Sequence, residues 1–453
     1  MNSIRKGVIA IDRIQIPHEV LEILKTLQAN HYPSFLVGGC VRDFMLGKRP
    51  KDYDICTKAL PEEAKSLFPK VVDTGIKHGT VTVLSGGLPV EVTTFRKAVP
   101  NRDGREAGAN SLIYGTEAAE DVLKRDFTIN GLLFDGNRVI DYVGGQADLA
   151  KRVIRAVQDP DARFREDPLR MIRAIRFCCQ LEFEIEPETC KAMERNASLL
   201  EKVSPERIRD EFNKILLSDS PDDGFRRLHQ TGLLNRVLPE LEQCYGFEQH
   251  NPHHSQDVFE HIMTVIRNCP PQLKTRWAAL LHDVGKPLTF SRDEKGIGHF
   301  YGHNLKSAAI SKEILTRLRF DNKMIRQVAT LIKEHMSKLK NPQRSTIKRL
   351  INRAGVENIA DLLELQIADV KRPGKIKDVE NLERVKTAVQ EILQEKEPMN
   401  PRQLAINGAD LQTLGIQPGK LLGQILTELT ERVIDNPQLN TREDLLALVA
   451  KML

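Results

Sequence analysis

Apolar residues recur at helical spacing early in the chain. In PHEVLEILKTLQAN (17–30), Val20, Leu21, Ile23, Leu24 and Leu27 fall on one face, which predicts a helix. FLVGG (35–39) reads as a short apolar strand running into a glycine turn. VRDFMLG (41–47) reads as a brief helix closed by Gly47, and KDYDICT (51–57) as an alternating strand. TVTVL (80–84) and PVEVTTF (89–95) flank Ser85-Gly86-Gly87, a hairpin signal. The stretch 98–115 is polar and glycine-bearing without periodicity, and reads as a mobile loop. RVIDYVGG (138–145) is the last strand expected.

Beyond about residue 150 the period changes. Helical patterns run through 167–180, 187–202, 205–218, 222–230, 255–267, 274–283, 303–317, 322–335, 344–353, 356–369 and 378–394, with last turns near 441–452. Breaks fall at 218–224, 244–254, 371–375 and 396–401, and no fixed-period repeat is present. The expected class is α+β: a head with a small mixed sheet, then an extended all-helical region. The chain has 453 residues, more than one compact core organises. The pattern divides it into 1–148, 149–245, 246–373 and 374–453.

Composition changes this picture little. Charged residues are 28% and apolar residues 40%, as in soluble globular proteins. A net charge of +5 permits a phosphate-rich partner without demanding one. The seven cysteines include no C-x-x-C pair, which argues against a disulfide framework or zinc site and for a reducing cytosol. No stretch of 18 apolar residues occurs, and the N-terminus lacks a leader pattern, so export and membrane spanning are not expected.

The chemistry begins in FLVGGCVRDFMLGKRPKDYDI (35–55). Asp52 and Asp54 stand two apart on an expected strand, so their carboxylates share a face. Two such charges repel unless a cation lies between them, and hard oxygen donors suit Mg²⁺. Gly38 and Gly39 let backbone N–H groups approach an anion, and Arg42 follows at a helix start, where phosphate is favoured. In LPVEVTTF, Val90 and Val92 face one way and Glu91 the other, toward the metals or toward solvent. A D-x-D alone is often a solvated edge and a GG alone often a turn. Together, in this order, they resemble the signature of the polymerase-β-like nucleotidyltransferases.

Further motifs sharpen the resemblance. KRDFTIN (124–130), REDPLRMIRAIRF (165–177) and SPERIRDEFNKIL (204–216) follow in order. Over residues 34–240 the series resembles class II tRNA nucleotidyltransferases, the CCA-adding and poly(A)-polymerase family. The resemblance implies that Arg125 and Asp126 serve the ribose, that Asn130 in the same motif belongs to the nucleotide site or holds the backbone of a turn, and that Arg173 contacts phosphate or base. It implies that Asp167 and Arg170 present a Watson–Crick-like edge accepting cytosine and adenine but not uracil or guanine. By their residue pattern alone, Asp167-Pro168 would cap a helix, and Arg170, Arg173 and Arg176 would form its solvated side. Lys124 stands where the family has arginine, which loses a bidentate fork. Glu206, Arg207 and Glu211 match the last motif, a brace for the preceding helix. Similar enzymes that add the terminal adenosine keep a flexible loop where 98–115 lies.

A second set follows: HNPHHSQDVFEHI, LLHDVGKP, FYGHNLKSA, IKEHM and LQIADV, across 250–370. It resembles the HD superfamily of metal-dependent phosphohydrolases. That resemblance implies a mononuclear site of His261, His282, Asp283 and Asp369, with His303 and His335 left for a second metal or for phosphate. Imidazole and carboxylate donors suit transition metals such as Mn²⁺, Ni²⁺ or Fe²⁺. His253 and His254 read as loop residues.

The resemblances together imply an enzyme that adds CCA to the tRNA 3′ end from CTP and ATP. Asp52, Asp54 and Glu91 are its catalytic carboxylates, Mg²⁺ its cofactor, and the acceptor arm of tRNA its partner, with the chain monomeric or a homodimer. Open beside it stand a relative that adds only A, only CC, or poly(A) tails, and an HD phosphohydrolase whose N-terminal half delivers RNA.

Overall fold

A computed structural model describes residues 16–76, 79–97, 113–250, 256–340, 342–371, 374–395 and 398–452. The chain divides into two compact units, 1–215 with 227–237, and 216–226 with 238–453. Among the described residues no helix is long and apolar enough to cross a membrane.

The first unit opens on the expected helix, His18–Ala29, which buries Val20, Ile23, Leu24 and Leu27. The strands follow in chain order: β1 Ser34–Val37, β2 Asp54–Thr57, β3 Val71–Gly75, β4 Thr80–Ser85, β5 Leu88–Thr94, β6 Arg96–Lys97, β7 Ile113–Tyr114, β8 Leu132–Phe134 and β9 Val139–Asp141. Seven of them form one sheet in the order β3-β4-β5-β2-β1-β8-β9. Only β2 and β5 pair in parallel; every other neighbouring pair in this sheet is antiparallel. The β4–β5 hairpin turns at Gly86 and Gly87, both at positive φ, as the glycines predict. Of the loop read at 98–115, residues 98–112 lie outside the described residues.

Two expectations about local structure need correction. Strand β2 starts at Asp54, so Asp52 precedes the ladder in an exposed bend rather than sharing its pleat. Strands also do not end near 140. Val153–Ile154 pairs in parallel with Glu184–Ile185, and Ser291–Arg292 pairs with Gly298–His299.

The second unit is helical. Its helices include Val258–Asn268, Leu273–Leu281, His303–Arg317, Asn322–Glu334 and Ile359–Val370. The last segment holds its own apolar cluster, with Ile406, Leu411, Ile425, Leu429, Val433 and Leu445 all buried. Helix Lys420–Asp435 supplies much of it, and the expected helices omit this one. Its apolar positions 422, 425, 426, 429 and 433 do follow helical spacing. Pro418 and Gly419, just ahead of it, form its entry turn.

Candidate functional site

In the head, β1 ends at Val37 and the chain turns at Gly38, with φ +80°. A Cβ there would stand 3.3 Å from Arg125 Nη1 and 3.6 Å from Asp54 Oδ2. The glycine is therefore favoured twice, for its left-handed backbone and for the close approach of Arg125. Gly39 opens helix Gly39–Met45.

Asp54 is the first residue of β2, and its partner across the parallel ladder is Glu91 on β5. Glu91 stands between buried Val90 and Val92 and is exposed on the opposite face, as the alternation predicts. Burial first, then the charges of Glu91 and Asp52, push the Asp54 carboxyl up to about 6. Three acidic groups thus meet at one end of two strands. Hard oxygen donors gathered against their own repulsion fit a divalent cation.

Behind them runs a buried polar relay. Arg42 does not reach out from a helix start. It is buried within its helix, donates from Nη1 to Asn130 Oδ1 at 2.7 Å, and pairs with Asp43. Its guanidinium lies 5.1 Å from the centroid of the Phe177 ring. Asn130 Nδ2 in turn donates to Asp126 Oδ1 at 3.0 Å. Arg173 Nη2 stands 3.0 Å from Asp126 Oδ2, yet that oxygen has no hydrogen bond of good geometry. Burial raises the Asp126 carboxyl, but Arg173 and Asn130 more than offset this and hold it below the usual carboxylate range. Asp126 is therefore an ionised acceptor with an unused direction. Arg125 is oriented by Asp121, whose Oδ2 accepts from its Nε and Nη2 at 3.2 and 3.0 Å. Sequence reasoning missed Asp121, although it lies four residues before Arg125, a spacing that places both on one side of a turn.

The helix Leu169–Leu181 carries the remaining head residues. Its first-turn cap is Pro168, while Asp167 closes the preceding helix and accepts from Leu169 N–H at 3.3 Å. Asp167 and Arg170 are neighbours along the backbone but hold different partners. Asp167 pairs with Arg207 at 2.8 Å. Arg170 pairs with Glu166 at 3.1 Å and donates to the carbonyls of Arg163 and Lys124. Arg176 is not solvated: it is buried, with Nε 2.6 Å from Glu211 Oε2. From helix Pro205–Leu216, Glu211 holds Arg176 of Leu169–Leu181 and Arg207 holds Asp167 just ahead of that helix.

The second unit gathers its ligand-type residues from five helices. His261 lies on Val258–Asn268, His282 and Asp283 directly follow Leu273–Leu281, and His303 begins His303–Arg317. His335 ends Asn322–Glu334, and Asp369 sits in the last turn of Ile359–Val370. Asp283 Oδ2 is 3.3 and 3.2 Å from Nε2 of His261 and His282. Its Oδ1 is 3.3 and 3.9 Å from Nε2 of His303 and His335. Asp369 Oδ1 lies 3.1 Å from His261 Nε2. His253 and His254 lie outside the described residues.

Carbonyls orient the rings. Nδ1 of His282, His303 and His335 meets the carbonyl oxygens of Ala279, Phe300 and Ile332, which leaves each Nε2 directed inward. Burial pulls His335 down to about 3, so its imidazole is neutral. Burial opposes ionisation of Asp283, but His282 and Lys286 hold its carboxyl well below the usual range. Asp283 Oδ1 is a buried acceptor with no hydrogen bond. Imidazoles around an ionised carboxylate with an orphaned oxygen fit a transition metal. His303 and His335 share this cluster, on the second oxygen of Asp283. Two lysines were not anticipated: Lys286 Nζ is 2.7 Å from Asp283 Oδ2, and Lys338 pairs with Asp369.

Comparison with known proteins places these geometries. The family model described as Poly A polymerase head domain matches residues 34–155. "Probable RNA and SrmB- binding site of polymerase A" matches 182–245, and tRNA nucleotidyltransferase domain 2 matches 300–449. The CCA-adding enzyme of Limosilactobacillus reuteri is 33% identical over 432 residues, 95% of each chain. The chain belongs to the CCA-adding enzyme family. That of Ligilactobacillus salivarius is 34% identical over 449 residues, 97% of this chain and 98% of its own. A crystal structure of the Bacillus stearothermophilus CCA-adding enzyme in complex with CTP is similar with a TM-score of 0.70 and 27% identity, over 93% of this chain and 94% of that one. The head sheet, with its helical continuation, is therefore that of a CCA-adding-type tRNA nucleotidyltransferase.

Proposed function

We propose that this chain builds the CCA end of tRNA without a nucleic-acid template, using CTP and ATP and releasing pyrophosphate. The observation that carries the reading is the meeting of Arg125 and Asp54 at the Gly38 turn, with Glu91 across the ladder from Asp54 and the charge of Asp52 acting on it. Asp52 and Asp54, with Glu91 beside them, would hold Mg²⁺ ions. Bound there, such ions lower the pKa of an attacking 3′-hydroxyl and neutralise charge on the departing pyrophosphate.

The chain's own residues supply the rest. The Gly38 backbone and Arg125 accommodate the phosphates, with Gly39 allowing the approach of the helix start. Arg42 works from behind, holding Asn130, which fixes the acceptor direction of Asp126. The unused oxygen of Asp126 then accepts from ribose hydroxyls, which selects ribonucleotides. Arg173 neutralises that carboxylate and stays close to the bound nucleotide. At the start of the next helix, Asp167 offers an acceptor to the exocyclic amine shared by cytosine and adenine. Arg170 offers a donor to a ring nitrogen or carbonyl, and a guanidinium carries more N–H donors than its three protein bonds use. The helical regions would hold the acceptor arm through its phosphates, in the cytosol where tRNA, CTP and ATP meet.

The test is addition to tRNA transcripts ending at the discriminator base, at C and at CC. Completion of all three supports the reading. Labelling of the CC-ended transcript alone would make the chain an A-adder, C without A a CC-adder, and long A tails a poly(A) polymerase. No incorporation into any would end the reading.

A second activity rests on the orphaned oxygen of Asp283 among four inward-facing imidazoles. His261, His282, Asp283 and Asp369 would hold a transition metal, and His303 and His335 would take a second ion or a phosphate. Such a centre supplies a metal-activated water for phosphoester hydrolysis. Phosphate release from phosphoesters, lost in His282→Ala and in Asp283→Ala, is its test.

A further inference from the structure

Helix Ala118–Val122 packs onto the head sheet through Ala118 and Val122, which join Val37, Cys56 and Phe95 in one apolar cluster. Val37 immediately precedes the Gly38 turn, and Cys56 lies two residues along β2 from Asp54. The helix therefore sits beside the carboxylate centre. Its acidic residues tie down both residues of β6: Glu120 pairs with Lys97 at 2.9 Å, and Asp121 pairs with Arg96 at 3.2 Å.

Asp121 is fully buried, and one guanidinium would neutralise it, yet it holds two. Its Oδ2 is taken up by Arg125, which uses Nε and Nη2 and leaves Nη1 beside Gly38. Its Oδ1 accepts from the backbone N–H and the Nε of Arg96, both at 3.2 Å. Among the described residues neither Nη1 nor Nη2 of Arg96 has a protein partner, and its side chain is 40% exposed. An arginine needed only to compensate Asp121 would turn a two-nitrogen fork onto the carboxylate, as Arg125 does. Arg96 is instead fixed through Nε, with its terminal nitrogens left open. A guanidinium does not lose its proton, so the trio carries a lasting surplus of one positive charge. Burial and the charges of Glu91 and Asp52 push the Asp54 carboxyl up, and Arg125 and Arg96 act against them, so both guanidinium charges reach that centre. A neutral or cationic group gains nothing from a second guanidinium there, whereas a phosphoryl group does.

We propose that Arg96 is a further phosphate ligand of the head site: held by Asp121, it donates from Nη1 and Nη2 to phosphoryl oxygens of the reacting molecules. The inference rests on the nucleotidyl-transfer reading of that site and adds a residue from β6 to its phosphate contacts. The phosphoryl group belongs to the triphosphate of the nucleotide or to the last phosphodiester of the RNA end, and both offer the same acceptors.

The test is steady-state addition of C from CTP to a tRNA transcript ending at its discriminator base, by the full-length chain with Mg²⁺, with pyrophosphate as inhibitor. A hydrogen bond to a charged group is worth enough that Arg96→Ala should weaken its phosphoryl partner by about tenfold. If that partner is the triphosphate, KM for CTP and the inhibition constant of pyrophosphate both rise and KM for the transcript stays. If it is the RNA end, KM for the transcript rises and pyrophosphate inhibits as before. Arg96→Lys should recover much of the loss, because a phosphate accepts a point charge. Arg96→Gln, which keeps a donor for Asp121 without the charge, should behave as Arg96→Ala and replaces it if that variant does not fold. The same substitution is then made in an Arg125→Ala background. A further loss of similar size marks a direct contact. The proposal is overturned if none of the three constants changes, or if the loss vanishes in that background, because Arg96 would then act only by positioning Arg125 through Asp121. A wild type that adds no nucleotide ends the nucleotidyl-transfer reading and this inference with it, whereas addition that ignores Arg96 ends this inference alone.

Discussion

The two acidic centres of this chain solve the problem of gathering ligand groups in opposite ways. In the head, Asp54 and Glu91 stand side by side on parallel strands with Asp52 at the entry, and burial, then the charges of Glu91 and Asp52, raise Asp54 to about 6. In the helical unit, Asp283 lies among imidazoles and beside Lys286, which hold its carboxyl well below the usual range. The head centre is unfavourable until a cation arrives and its glycine turn leaves room for one with its nucleotide, which suits an ion that enters and leaves with each substrate. The helical centre is compensated in advance by residues of its own, with ring nitrogens fixed by backbone carbonyls. That construction supports the proposal of a resident ion there.

Several substitutions would break or sharpen this contrast. The largest effect is expected for Asp283→Ala: transition metal retained by the purified chain, measured by elemental analysis, falls to background, while CCA addition stays within about twofold. If addition collapsed with the metal, the two centres would not be separable. Next comes the buried pair that supports the head. Arg176→Ala leaves the buried Glu211 carboxylate only the half-exposed Lys214 and should lower unfolding stability by about 3 kcal/mol in urea. Replacing both partners with Met and Leu should cost less, because no charge is left uncompensated. Arg170→Ala should leave stability nearly unchanged and reduce the preference for CTP and ATP over UTP and GTP by about tenfold, read from single-nucleotide incorporation.

The smallest effect is a pH dependence. Burial raises the Asp121 carboxyl, and Arg125 and Arg96 more than offset it, so its pKa is lowered on folding. A lowered carboxylate contributes stability above its unfolded pKa, about 3.9, and loses it as the pH falls toward the folded value. The stability gap between wild type and Asp121→Asn should therefore be full above pH ~4 and narrow below it, measured by denaturant unfolding at stepped pH.

What could be read from the chain followed the range of the interactions. The β4–β5 hairpin, the outward Glu91 and the buried face of His18–Ala29 are local patterns and emerged as expected. The placement of Asp52 outside β2 was not legible, because the bend at Lys51–Asp52 interrupts an alternation that sequence continues. The helix-start position of Arg42 is legible, but its burial against Asn130 and Phe177 is not, because only the fold brings those residues near. Arg176 was misread for the same reason, its partner Glu211 lying 35 residues on. In the helical unit the histidines were legible from their motifs. Lys286 and Tyr301 lie inside LLHDVGKP and FYGHNLKSA, but their contacts with Asp283 and His299, like that of Lys338 with Asp369, needed the folded geometry.

The measurement that tests the central claim most directly pairs two readings on one variant, Asp54→Ala. Nucleotide addition from CTP to a tRNA transcript ending at its discriminator base should fall on the order of a thousandfold or more, while retained transition metal matches wild type. Addition at the wild-type rate would contradict the account, because the carboxylate pushed up to about 6 at the Gly38 turn would then play no part in the reaction.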